Sequence, residues 1–251
     1  MTLFVISFLV CCLSVMTVRG RRGKWPDGMP VTRPRLVAVG GTYEGSEQRA
    51  SDAYVVQERL VATADGAAGS VPGHAAAAVA LGAVVAARPQ HAGTRESDLA
   101  ECARAAQRAV RDAAPSDPAP PSPAGTLDVI VLDGGETPRL RYAHVGGGVI
   151  WHCPKGGAPA SLTEPAGGAP PPGAGVPSEL DVAVGSVPIR PGDRVVVVTD
   201  GVVRALGTRR VADLLAEGSS PVACLDRFYD ELAAAEPEED ATVVIADFVT
   251  V

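Results

Sequence analysis

The sequence predicts an α+β sandwich of two antiparallel sheets with helices packed outside. Strand-like runs come first along the chain, helical blocks follow, and strands then return, which is typical of this class. Several strand-like runs are joined by short turns such as Gly146-Gly147-Gly148, and short turns favour antiparallel hairpins over βαβ crossovers. Hydrophobic residues make up 46% of the 251 residues, so the chain can bury a sizeable core without disulfide or metal cross-links.

Short β-branched and apolar runs predict nine strands in the body of the chain. The predicted strands are 36–42, 53–57, 59–64, 127–132, 140–145, 149–153, 180–184, 194–199 and 242–249. Four helices are predicted at 73–87, 96–114, 211–217 and 222–235. The second carries Leu99, Cys102, Ala106 and Val110 at helical spacing, and Pro115 ends it.

Low-complexity segments divide the chain. Residues 1–18 are an apolar segment followed by basic residues, which we interpret either as a membrane anchor or as a misplaced start. We predict that residues 19–34 form a linker and that residues 35–251 form a folded domain. The Pro-rich segment 112–125 and the Gly/Pro/Ala segment 154–178 predict surface loops too flexible to pack. Both interpretations of the N-terminus place the domain in the cytoplasm, soluble or membrane-anchored.

Composition excludes some functions. Acidic residues outnumber basic ones 29 to 22, and no basic stripe with aromatic residues is present, so nucleic acid is not an expected partner. The five cysteines lack the spacing of a zinc ribbon or redox motif, which indicates unpaired thiols in a reducing compartment. His144 and His152, eight positions apart on neighbouring strands, leave a shared site open.

Acidic residues follow or precede several predicted strands. An apolar strand ends in Asp65-Gly66, and a run of valines ends in Asp200-Gly201. Asp52 precedes the strand that pairs with the first of these, and Glu239-Asp240 precedes the last strand. A carboxylate at the end of a buried strand is costly unless it is solvated, paired or bound to a cation. We therefore expect these acidic residues to meet in one cleft.

Such a cleft would suit a particular kind of ion. Carboxylates and backbone carbonyls are hard oxygen ligands, so they favour Mg²⁺ or Mn²⁺ over Zn²⁺. Two such ions can activate a water and polarise a phosphoryl group. A glycine after each aspartate permits close approach of the backbone. Asp-Gly is also a common turn dipeptide, so a purely structural role for each pair stays open.

Several segments resemble the metal-dependent protein phosphatases of the 2C type, in particular the bacterial branch. They are RASDAY at 49–54, VATADGAAGS at 61–70, IRPGDR at 189–194, TDGV at 199–202 and EDATVV at 239–244. The resemblance spans about residues 36–250 and rests on the order and spacing of motifs that are individually weak. It implies an αββα sandwich and hydrolysis of phosphoserine or phosphothreonine on proteins by two Mg²⁺ or Mn²⁺ ions, without a phosphoenzyme intermediate.

The resemblance also implies a role for each matching residue. Asp65 would bridge the two metals, the Gly66 carbonyl would bind one of them, and Asp200 would bind the second. Asp52 would hold coordinated water. The last ligand falls on Glu239, where the family usually has aspartate, and the adjacent Asp240 is an alternative.

The sequence departs from the family pattern in three places. Arg49 is the nearest candidate for the phosphate-binding arginine but lies closer to Asp52 than expected. The middle GDSR motif corresponds to residues 146–149, which read GGGV and lack the aspartate. The Gly/Pro-rich linker replaces the flap segment of the family. This shortening resembles the stage II sporulation E type of bacterial phosphatase, whose members act on partners of anti-sigma factors. A pseudophosphatase that binds a phosphoprotein is therefore the alternative to an active enzyme.

Overall fold

Two five-stranded antiparallel sheets form the centre of the fold, as predicted. The structure is a computed structural model and describes residues 33–47, 51–66, 73–91, 93–113, 126–134, 137–165 and 181–250. The elements are β1 Pro34–Tyr43, β2 Asp52–Gln57, β3 Leu60–Asp65, α1 Gly73–Ala87, α2 Glu96–Asp112, β4 Thr126–Asp133, β5 Arg139–Gly146, β6 Val149–Cys153, β7 Ala160–Ser161, β8 Ala183–Pro188, β9 Arg194–Val198, α3 Asp200–Ala216, α4 Pro221–Ala235 and β10 Ala241–Thr250.

Strands β9 and β3, which lead to the predicted site residues Asp200 and Asp65, each lie inside a sheet between two neighbouring strands. One sheet has the order β1-β10-β9-β6-β7, and the other has the order β2-β3-β4-β5-β8. The inner faces of both sheets contribute to one apolar layer, which includes Val61, Ile130, Ile150, Val197 and Phe248. Alternation of side chains along each strand sends the remaining residues to the outer faces, where helices cover them.

A helix pair covers each sheet. Helices α1 and α2 pack on the β2-β3-β4-β5-β8 sheet through alanine-rich faces, so the small side chains allow close approach. Helices α3 and α4 cover the other sheet, with Phe228 and Leu232 of α4 fully buried. Helix α4 begins with Pro221, and the Ser220 hydroxyl accepts a hydrogen bond from the Ala223 amide, as an N-cap does. The arrangement is the predicted αββα sandwich.

Three predicted elements differ from the structure. The helix predicted at 211–217 begins at Asp200, so Thr199 caps the N-terminus of α3 rather than ending β9. The last strand of its sheet, predicted at 180–184, is Ala183–Pro188. The prediction that 154–178 is too flexible to pack is wrong for its first part, because Thr163 is buried and its hydroxyl accepts a hydrogen bond from the Ile150 amide.

Several predictions concern residues outside the described part of the chain. These include the apolar segment 1–18, most of the linker 19–34 and most of both low-complexity segments. Among the described residues, no helix is both long and apolar enough to cross a membrane. Three described cysteines, Cys102, Cys153 and Cys224, are free thiols, as predicted.

Candidate metal centre

Two strands of one sheet bring the first pair of carboxylates together. Asp52 begins β2 and Asp65 ends β3, and the antiparallel register places them directly opposite each other. Their like charges interact, and the Asp65 carboxyl also interacts with that of Asp200, which begins α3 just after β9 of the other sheet. Residues from distant stretches of the chain therefore meet at one edge of the sandwich, as expected from the sequence.

Thr199 joins the two sheets at this edge. It follows β9, and its hydroxyl donates a 2.8 Å hydrogen bond to Oδ2 of Asp52 on the opposite sheet. The same hydroxyl oxygen accepts a 2.9 Å hydrogen bond from the Thr242 amide of β10. Because Thr199 is fully buried and bonded on both sides, it fixes the position of the Asp52 carboxylate.

Glu239 and Asp240 have different environments, although they are adjacent in the chain. Asp240 is buried, and its two carboxylate oxygens accept 3.1 Å hydrogen bonds from the amides of Gly45 and Ser51. Glu239 is about half exposed, and its Oε2 is bonded to Arg204. Asp240 thus ties the chain before β10 to the loop after β1, while Glu239 faces the open side of the cleft.

Burial and mutual repulsion change the protonation of this group. Burial, followed by the charge of Asp65, raises the pKa of Asp52 to about 8. Burial, followed by the charge of Asp200, raises the pKa of Asp65 to about 6. The ionised forms of these carboxyls are therefore unfavourable unless a proton or another cation neutralises them.

The glycines that follow Asp65 and Asp200 permit close backbone contacts. A Cβ at Gly66 would lie 1.9 Å from the Gly73 carbonyl oxygen, at the start of α1. A Cβ at Gly201 would lie 2.0 Å from the carbonyl oxygen of Asp240. Neither position can carry a side chain, which confirms the predicted need for close backbone approach after each aspartate.

The donor set fits a hard divalent cation, although its members stand as neighbouring pairs. In the described part of the chain, no three His, Cys, Asp or Glu side chains are close enough to hold one metal ion. However, Oδ1 of Asp52 is buried without a hydrogen-bond partner. An unpartnered carboxylate oxygen and repelling carboxyl neighbours are what a site for Mg²⁺ or Mn²⁺ requires.

A buried Asp–His pair lies beside this group. Asp128 on β4 is opposite His144 on β5, and its Oδ1 is 2.7 Å from Nδ1 of His144. Burial raises the pKa of Asp128, and the hydrogen bond to His144 only partly offsets this. Burial is the largest single effect and lowers the pKa of His144, but the hydrogen bond and charge of Asp128, together with backbone hydrogen bonds, outweigh it and raise the pKa. The charge of Asp200 also acts on Asp128, so the pair borders the carboxylate group.

The glycine turn between β5 and β6 packs closely against Asp200 and Asp128. A Cβ at Gly147 would lie 2.9 Å from Cβ of Asp200. A Cβ at Gly148 would lie 2.7 Å from Oδ2 of Asp128 and 2.9 Å from the Val198 carbonyl oxygen. The segment that lacks the middle aspartate is therefore occupied by close packing against these residues.

We expect Gly148→Ala to lower the free energy of unfolding by about 1–3 kcal/mol, because the added methyl group overpacks a buried turn. Gly82→Ala is the matched control, since a Cβ there meets nothing within 4 Å. Gly82 is exposed inside α1, so its replacement should stabilise the protein by about 0.5–1 kcal/mol. Urea unfolding of both variants measures the difference. Equal effects would show that the turn can accommodate the methyl group.

The second histidine lies elsewhere. Nε2 of His152 is 3.1 Å from Oδ2 of Asp193, in the IRPGDR segment, so the two histidines do not share a site. A cavity of about 520 Å³ also lies at this end of β9, lined in part by Cys153, Lys155 and Arg194. Since β9 has five residues of about 3.3 Å each, this cavity is roughly one strand length from Asp200.

Four residues of the site were not predicted from the sequence, and one predicted residue lies outside the described part of the chain. Thr199, Arg204 and the Asp128–His144 pair were not predicted as members of the site. Arg204 lies four residues after Asp200, a spacing that puts both on one face of a helix. The predicted phosphate-binding residue Arg49 lies outside the described residues.

The fold is shared with several solved structures. The catalytic domain of the serine/threonine protein phosphatase PstP in complex with two manganese ions has a TM-score of 0.70 and 21% identity, covering 86% of this chain and 100% of that one. The phosphatase MsPP from Mycobacterium smegmatis with cacodylate has a TM-score of 0.66 and 21% identity, covering 85% and 98%. RsbX with magnesium has a TM-score of 0.58 and 15% identity, covering 85% and 96%.

The family follows from the sequence profile. The profile of the Stage II sporulation protein E (SpoIIE) family matches residues 66–249. The chain therefore belongs to this family, within the bacterial branch of the metal-dependent protein phosphatases. No curated protein sequence matches the chain significantly.

Proposed function

We propose that this protein hydrolyses phosphoserine or phosphothreonine on a protein substrate, using Mn²⁺ or Mg²⁺. The observation that carries the proposal is the meeting of Asp65, at the end of β3, and Asp200, at the start of α3, at one edge of the sandwich. Membership of the SpoIIE family and the fold shared with phosphatases support it. The comparisons give no support to a role in binding alone.

The residues that would hold the cations can be assigned from the contacts. We assign Asp52, Asp65, Asp200, Glu239 and the carbonyl of Gly66 as ligands. Asp240 is assigned a supporting role, because backbone amides already occupy both of its carboxylate oxygens. When bound, the cations would neutralise the carboxylates, activate a water and withdraw charge from the phosphoryl group.

The protein's own residues orient this chemistry. Thr199 holds Asp52 by a hydrogen bond, and Asp240 ties down the chain beside Glu239. Gly147 and Gly148 leave no room for a further acidic side chain between Asp200 and Asp128. Because every protein ligand in this assignment is an oxygen donor, we expect Mn²⁺ and Mg²⁺ rather than Zn²⁺ to support activity.

The remaining predictions are part of the same proposal. We propose that residues 35–251 form the phosphatase domain and that it acts in the cytoplasm, with a membrane contact only if segment 1–18 is an anchor. A phosphorylated protein is the proposed partner. The net charge of −7 gives no electrostatic reason to expect nucleic acid.

Turnover of p-nitrophenyl phosphate and of a phosphothreonine peptide by the purified full chain tests the proposal. We expect hydrolysis with Mn²⁺, loss of hydrolysis with EDTA, and recovery when Mn²⁺ is restored. Asp230→Asn, an exposed position on α4, should behave as the wild type and serves as the control. Binding of Mn²⁺ without turnover of either substrate would contradict the proposal.

A further inference from the structure

A guanidinium group spans two of the proposed ligands. Arg204 lies on the first turns of α3, and its Nη2 is 3.0 Å from Oδ2 of Asp200. The same nitrogen is hydrogen-bonded to Oε2 of Glu239, from the segment before β10. Two carboxylates from separate elements therefore hold one arginine at the mouth of the cleft.

These contacts use only part of the bonding capacity of each group. Arginine has five N–H donors in a rigid planar fork, and in the described residues the side-chain hydrogen bond of Arg204 comes from Nη2. The closest contacts of Nη2 are to Oδ2 of Asp200 and to Oε2 of Glu239. The side chain of Arg204 is 56% exposed, so its remaining donors can reach a ligand from solvent.

The charges around the cleft indicate the chemical class of such a ligand. Asp52, Asp65, Asp200, Glu239 and Asp240 all carry carboxyl groups, which repel a phosphate dianion. Within the described ranges, Arg204 is the cationic side chain that ion pairs join to this group. A planar guanidinium matches the geometry of phosphate oxygens and can donate two parallel hydrogen bonds to them.

We infer that Arg204 binds the phosphoryl group of the substrate, held in place by Asp200 and Glu239. The inference rests on the proposed function, since it assumes that a phosphate monoester enters this cleft. Asp200 and Glu239 pre-organise the guanidinium, so that little side-chain freedom is lost when phosphate binds. Arg204 thereby supplies a cationic contact from α3, independent of the loop that contains Arg49.

The contacts also allow a competing role, in which Arg204 takes the place of a cation on Asp200 and Glu239. The two roles differ in measurable consequences. Removal of a phosphate-binding arginine weakens phosphate binding, whereas removal of a competitor strengthens metal binding and leaves phosphate binding unchanged.

The test compares the full-length wild type with Arg204→Gln, Arg204→Lys and the control Arg209→Gln. Arg209 is an exposed arginine on the same helix, so its replacement removes the same charge away from the cleft. Titration calorimetry measures binding of Mn²⁺ alone, and then of inorganic phosphate to the Mn²⁺-loaded protein. Steady-state kinetics with p-nitrophenyl phosphate gives kcat and KM.

We expect Arg204→Gln to weaken phosphate binding and raise KM by about 10- to 100-fold, the loss typical of hydrogen bonds to a charged group. Arg204→Lys should recover part of the loss, because it restores the charge without the planar fork. Arg209→Gln should match the wild type. Unchanged phosphate binding in Arg204→Gln would overturn the inference, and tighter Mn²⁺ binding with it would assign the competing role.

The failure of this inference differs from failure of the proposed function. A wild-type protein that binds phosphate but has no turnover contradicts the phosphatase proposal, and loss of that binding in Arg204→Gln would still support the inference. Active wild-type protein with an equally active Arg204→Gln variant would overturn the inference alone. A wild type that does not bind phosphate would overturn it as well.

Discussion

Asp65→Asn is expected to lower Mn²⁺-dependent turnover by at least about 10³-fold, since loss of a proposed cation ligand would remove several kcal/mol of transition-state stabilisation. The asparagine side chain has nearly the same shape but no negative charge. Asp65 is the position where these carboxylates converge, because it is paired with Asp52 across β2 and β3 and interacts with Asp200 at the start of α3. Steady-state kinetics with p-nitrophenyl phosphate measures the loss.

The same substitution should stabilise the metal-free protein. Burial and the charge of Asp200 raise the pKa of Asp65 to about 6, so the carboxyl is mostly ionised at neutral pH and its ionisation costs stability. An amide removes this repulsion, and thermal unfolding in EDTA at pH 7.5 should give a higher Tm for Asp65→Asn than for the wild type. A variant that is inactive and also less stable would indicate a folding defect. An active variant would exclude Asp65 as a ligand.

The sequence predicted the fold because its strands are strongly marked. The valine run of β9 and the apolar run of β10 are buried almost throughout, as a strand with both faces covered is. The helix predicted at 73–87 and the strand predicted at 149–153 have those same bounds in the structure. Long-range pairing of β1 with β10 could not be read from local patterns, since nothing local specifies a partner about 200 residues away.

Helix α3 shows where local patterns fail. Its first turns contain Gly201, Val202 and Val203, which are weak helix formers, and Gly207 has a φ of 76° that interrupts the helix. Tertiary packing overrides these propensities, because Val202 is fully buried against the sheet. The error had a functional consequence, since the Asp200–Arg204 spacing is meaningful only if a helix begins at Asp200.

The acidic residues of this cluster could be predicted from the sequence, but the residues that position them could not. Asp-Gly pairs at strand ends indicate candidate ligands, whereas the hydrogen bond from Thr199 to Asp52 depends on how the two sheets stack. Likewise, Asp128 and His144 are distant in sequence and become partners through the register of β4 and β5. Such contacts follow from three-dimensional packing, which one sequence does not specify.

The stability of the metal-free protein is expected to fall as pH rises. Asp52 has a folded-state pKa of about 8 and Asp65 of about 6, both raised from 3.8 by burial first and then by neighbouring carboxyls. Because the folded state holds these protons more tightly than the unfolded chain, the free energy of unfolding decreases between pH 3.8 and about 8. The groups that face them are Asp200, Glu239 and Asp240.

Thermal unfolding in EDTA from pH 5 to pH 9 measures this dependence. We expect Asp52→Asn to flatten the decrease, because the amide cannot titrate, while the exposed control Asp230→Asn should keep the wild-type slope. A wild-type Tm that is constant or rises over this range would show that Asp52 and Asp65 are not buried against one another in solution.

Mn²⁺ should reverse the decrease at high pH, since a cation replaces the protons that the carboxyls lose. At a free concentration of about 100 times Kd, binding to the folded state alone contributes about 2.7 kcal/mol, or roughly 5–11 °C in Tm for a domain of this size. The increase should be larger at pH 8 than at pH 5.5, because ionised carboxylates bind the cation and protonated ones must first release a proton. An equal increase at both pH values, or one retained by Asp65→Asn, would place the cation away from these carboxylates.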